Sequence, residues 1–168
     1  MKSLTQLVLL VCFGSLLCQA QAQNVVSENA LAPLRGITAV QIDPTAVPNP
    51  DKVKDPSASN LMQDSLRNAF RSANFETVAS APVRAHIVLD EFTSGNTAKR
   101  VLIGLGAGRS SITCHLVLED SQGKELMSRK IHVRGDLAFS PYEGNNTQRR
   151  KAVSSLDQRL LEEIEKAK

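Results

Sequence analysis

The chain has 168 residues, 42% hydrophobic, 22% charged and 4% aromatic, with 20 basic against 17 acidic side chains and a net charge of +3. That balance belongs to an ordinary single-domain globular protein and excludes a disordered chain, a collagen and a protein with several membrane spans. With no Trp, one Tyr and a weak positive field, it also lacks the stacking platforms and charge expected of a nucleic-acid binder.

Lys2 precedes the apolar run Leu7–Leu17, which is too short to span a bilayer comfortably, and Ala20-Gln21-Ala22 follows. A positive start, a short apolar stretch and an Ala-x-Ala site make residues 1–22 a secretory signal peptide, cleaved after Ala22. The expected destination is the periplasm or the extracellular space. Cys18 offers a competing reading as the acylated residue of an outer-membrane lipoprotein, opposed by Leu17, because the peptidase prefers a small residue there. Cleavage removes Cys12 and Cys18, so Cys114 is left without an internal disulfide partner. It alternates with Ile112, Leu116 and Leu118, which points to a buried, inert thiol.

Residues 23–35 show no sustained period and read as a flexible tether, leaving 36–168 as one domain. Gly36–Ile42 reads as a first strand ended by Asp43-Pro44, and four prolines (Pro44, Pro48, Pro50, Pro56) make the next segment a surface loop. Ser57 or Ser59 is expected to cap a helix whose stripe is Leu61, Met62, Leu66, Ala69, Phe70 and Ala73, with Asn74 as its stop. Strands are expected at Phe75–Ala79, Ala85–Phe92, Ser111–Glu119 and Glu125–Arg134, the last two joined by a hairpin through Asp120–Gly123.

A three-residue loop ending at Gly123 would set Leu118 opposite Leu126 and turn Lys130 and His132 toward the apolar face. A bulge near Ser128, or a longer turn, is therefore expected so that Met127, Ile131 and Val133 face inward. Gly135–Asn146 is irregular. Thr147 can cap a final helix with Val153, Leu156, Leu160, Leu161 and Ile164 as its stripe, and with a Glu162–Lys166 pair. The order β-α-β-β-β-β-α predicts an α+β fold: a mostly antiparallel sheet of four to five strands with two amphipathic helices packed on one face.

Sites are harder to find. Gly104-Leu105-Gly106-Ala107-Gly108 superficially suggests a dinucleotide turn, but Arg109 stands where a small residue is needed, and a strand follows where a helix should. No phosphate loop, G-x-S-x-G nucleophile motif or metal-ligand spacing is present, so no cofactor, no metal and no enzyme activity are expected. Asp90 and Glu91 are adjacent and should point to opposite faces of a strand. His115 should lie opposite roughly Arg129, three residues or about 10 Å from His132. Arg149-Arg150-Lys151 opens the last helix, where cations oppose the dipole, and reads as a solvated helix face, with an anion-contact patch as the alternative.

One apolar, glycine-rich block stands out: Val101, Leu102, Ile103 and Leu105 lie between the cations Lys99-Arg100 and Arg109. It is either a strand end tucked into the core or a contact surface for a partner or anionic lipid, with Arg100, Leu102, Gly104, Leu105, Gly106, Gly108 and Arg109 as contact residues.

The chain also resembles the bacterial envelope proteins grouped as domain of unknown function 4410, over roughly residues 36–167. The likeness rests on Ile87–Phe92, Gly95-Asn96, Arg100–Ser110 and Asp120–Lys124, with the glycine block its most specific part. It implies a secreted or lipid-anchored protein of no assigned activity. The expected function is a non-catalytic module that binds another envelope protein or itself. The alternative is a membrane-associating or pore-like component acting through residues 101–109.

Overall fold

The computed structural model describes residues 32–96, 109–135 and 145–168. Strand β1 (Ala39–Ile42) leads through a proline-rich loop and a 3-10 turn (Pro50–Lys52) into helix α1 (Ala58–Ser72) and the short strand β2 (Glu76–Thr77). Three longer strands follow: β3 (Val83–Thr93), β4 (Ser111–Asp120) and β5 (Glu125–Arg134). Helix α2 (Asn145–Lys166) closes the chain. The sheet order is β2-β1-β3-β4-β5. A strand, helix and strand must return parallel, so β1 pairs parallel with β2, and it also pairs parallel with β3. The larger β3–β4 and β4–β5 ladders are antiparallel, giving the expected α+β fold with a mostly antiparallel sheet.

One face of the sheet is apolar. Ile87 and Leu89 of β3 and Leu116 and Leu118 of β4 are fully buried, as are Phe70 of α1 and Leu160 of α2. Both helices pack on that face because their apolar residues recur at helical spacing and cannot be hidden elsewhere. Cys114 belongs to the same row and is buried.

Helix α1 stops as its sequence suggests. Asn74 takes φ 63°, the amide of Asn74 donates to the Arg71 carbonyl at 3.0 Å, and that of Phe75 donates to the Phe70 carbonyl at 2.9 Å. These two bonds satisfy carbonyls that the helix end would otherwise strand. The start differs: Ser57 sits at the cap position but makes no side-chain cap bond, because its hydroxyl donates to Asp55 Oδ1 at 2.7 Å. Helix α2 begins at Asn145, so Thr147 lies within its first turn. Its surface pairs are Arg159–Glu162 at 2.7 Å and Lys166–Glu163 at 2.6 Å, rather than Glu162 with Lys166.

Three further expectations shift. The first strand is shorter than Gly36–Ile42, because Arg35 and Ile37 donate back to Ala32 and Leu34 in a turn and Gly36 takes φ +75°. Leu34, assigned to the tether, is buried in the core, and its amide donates to Ala167 at 2.8 Å, so the packed part of the domain starts before Gly36. The hairpin does contain a bulge, at Leu126 rather than near Ser128: Leu118 pairs with Met127 and Glu119 with Glu125. That extra residue brings Met127, Ile131 and Val133 onto the buried face. Arg129 falls in the same row and meets it by reaching Glu163 of α2, 3.9 Å away.

Candidate functional site

Six of the seven contact residues named from the sequence (Arg100, Leu102, Gly104, Leu105, Gly106 and Gly108) lie outside the described residues, as do the apolar Val101 and Ile103 of the same block. The structure describes the base from which that block leaves and to which it returns. Arg109 is half-buried, and its Nε is buried without a hydrogen-bond partner among the described residues. The next residue, Ser110, is fully buried; its hydroxyl donates to the Thr93 carbonyl at 2.8 Å and its carbonyl accepts the Gly135 amide at 2.8 Å. Gly135 in turn lies so close to α2 that a Cβ there would stand 3.0 Å from the Gln148 carbonyl oxygen. The end of β3, the start of β4, the end of β5 and the first turn of α2 are thus held at one pole of the molecule.

A second polar cluster lies at the same pole. Arg149 pairs with Asp55 at 3.1 Å, donates to the Ser57 hydroxyl, and sits 5.9 Å from the centre of the Phe92 ring. Burial pushes the Asp55 carboxyl up, but hydrogen bonds from the Ser57 side chain and amide, with the Arg149 charge, outweigh it and leave its pKa below the ordinary 3.8. Arg149 is therefore a structural tie between α2 and the segment before α1, and not part of a solvated face.

The open face of the sheet carries the histidines. His115 pairs across the ladders with Val88 and with Lys130, so His86 and His132 each lie one diagonal step away, two residues along their strands. His132 is one residue nearer than the sequence suggested, because of the bulge at Leu126. Diagonal neighbours stand about 7–8 Å apart. The rings have other partners: His115 Nε2 lies 3.1 Å from Asp90 Oδ2, and His132 meets Thr113 Oγ1 at 2.9 Å and the Nε of Arg134 at 3.1 Å. Among the described residues, no group of three or more His, Cys, Asp or Glu is placed to hold a metal ion.

Asp90 reaches His115 through a second bulge. Leu89 pairs with Cys114 and Glu91 with Thr113, leaving Asp90 as an extra residue. Leu89 and Phe92 are both buried, so Asp90 and Glu91 share the open side and do not point to opposite faces. Sequence alternation missed this pair, since an inserted residue leaves no periodic signal. The neighbouring thiol, that of Cys114, turns to the core. Burial, with a smaller contribution from the Asp90 charge, pushes its thiol up to about 12.

Residues 19–132 match the family model described as a domain of unknown function, DUF4410. The chain belongs to this family. No curated protein matches this DUF4410 chain. Among solved structures, a single-substitution variant of PelC from Paraburkholderia phytofirmans, described as a dodecamer, is 17% identical with a TM-score of 0.50, covering 82% of this chain and 88% of that one. A second PelC dodecamer from the same organism is 14% identical with a TM-score of 0.49, covering 77% and 86%. A Xanthomonas campestris protein of the family DUF330 is 12% identical with a TM-score of 0.43, covering 75% and 78%. At 17% identity the likeness to the first of these PelC structures shows a shared fold and no more.

Proposed function

We propose that this DUF4410 chain is an exported, non-catalytic assembly module of the cell envelope that works as a homo-oligomer. The observation that carries the reading is the likeness, over 82% of the chain, to a fold that in PelC is described as a dodecamer. A small sheet domain whose one described cysteine is buried and inert supports a binding role over a chemical one. The signal-peptide pattern of residues 1–22 supports export, and recognition of another envelope protein is the companion role.

Light scattering coupled to size exclusion, on the mature protein purified from its native host, tests the assembly. A mass several times that of one chain is expected, and a monomer at every concentration would overturn the reading. Intact-mass analysis of the same sample should place the N-terminus at Gln23 without an acyl group, whereas a diacylglyceryl group on Cys18 would replace the secreted form with a lipoprotein.

A further inference from the structure

The sheet ends in two unlike edges, β2 on one side and β5 on the other. We propose that copies of this chain join edge to edge, β5 of one protomer pairing with the Glu76–Val78 edge of the next, so that successive copies extend one sheet. The inference rests on the self-association reading above and assigns its surface.

Strand β5 runs for ten residues with no strand beyond it among those described. Its exposed residues are Glu125, Arg129, Lys130, His132 and Arg134, and three of these five are cations. The opposite edge is short, acidic and apolar. Glu76 is exposed and makes no ion pair among the described residues, and Val78, 38% accessible, is the exposed large hydrophobic side chain among them. The amides of Glu76 and Val78 donate inward to Thr38 and Val40 at 2.9 and 3.0 Å. Strand alternation then turns the N–H and C=O of Thr77 outward, ready for another strand.

Like edges do not match. A two-fold pairing that uses the whole of β5 sets Arg129 or Lys130 against its own copy, and like charges directly opposite destabilise a ladder. Two β2 edges would offer two residues each. Only the unlike pairing brings cations to Glu76. Because β2 and β5 run in the same direction, a copy added by near-translation pairs in parallel and keeps its helices on the same side. Such a head-to-tail contact repeats, and it closes into a ring when the rotation between copies allows.

Charge reversal tests the contact. Glu76→Lys and Lys130→Glu should each raise the concentration at which the oligomer dissociates about tenfold. The double variant, which restores an opposite-charge pair, should return to within about threefold of wild type. Both residues are exposed, so melting temperatures should not move. In addition, Val78→Cys and His132→Cys proteins, whose cysteines lie opposite each other when Glu76 faces Lys130, should form covalent dimers on oxidation when mixed, and neither should do so alone. A wild-type oligomer indifferent to both reversals, with no mixed cross-link, would overturn this interface and leave self-association standing. A wild-type monomer at every concentration would overturn both.

Discussion

The rings of Phe70 and Phe75 meet edge to face, with centroids 5.5 Å apart and planes at 84°, directly beside the backbone bond between the same two residues. Helix ending and core packing are therefore one event, hinged on the left-handed Asn74 between them. Asn74→Val should cost about 1–2 kcal/mol, because a β-branched residue resists positive φ. Asn74→Gly should hold or gain stability. Urea denaturation of the two variants checks the pair, and equal loss in both would place the effect outside the backbone.

Gly135 and Gly123 are two glycines required for different reasons. At Gly135 an added Cβ would meet the Gln148 side chain at 2.7 Å and its carbonyl at 3.0 Å, so Gly135→Ala should cost about 1–3 kcal/mol through overpacking. Gly123 has open space but φ +80°, so alanine there should cost about 1–2 kcal/mol through the backbone alone. Thermal melts measure both, and a Gly135→Ala protein with unchanged melting would show that α2 can slide away.

The lowered pKa of Asp55 sets the sign of a pH effect. A carboxyl whose folded pKa lies below its unfolded value of 3.8 contributes stability above that value and loses it as pH falls through the folded pKa. Wild type should therefore exceed Asp55→Asn in stability by a constant margin from pH 5 to 8, and the margin should shrink only below about pH 4. A margin that persists at pH 2 would assign the effect to packing.

Cys114 should ignore an aromatic disulfide reagent at pH 8 in the native state and react only after unfolding, since its thiol titrates near 12. Cys114→Ser should destabilise by about 1–3 kcal/mol, placing a hydroxyl among apolar neighbours. Prompt labelling of the native protein would contradict the burial.

Features that repeat along the chain were legible before the fold was known. The stripe of Met62, Leu66 and Phe70, the alternation of Ile112, Cys114, Leu116 and Leu118, and the stop at Asn74 all carry local signals, and each stands in the structure. What escaped is non-local or aperiodic. The tie from Arg149 to Ser57 and Asp55 spans more than ninety residues, and no spacing rule announces it. Leu34 looked like tether because one apolar residue has no period, although the Ala167 carbonyl holds its amide. Asp90 broke the alternation on which the separation of the two carboxylates depended.

That extra residue has a consequence for how the strand can change. Without Asp90, β3 would alternate without interruption, with Leu89 opposite Cys114, Glu91 opposite Thr113 and Phe92 opposite Ile112, as their present pairings require. Among the described residues, the insertion sets a carboxylate beside His115 on the open side. The strand therefore absorbs a change of length on its outer surface while its inner surface keeps step. The polar exterior can be rewritten by insertion or deletion at this point independently of the packing beneath it.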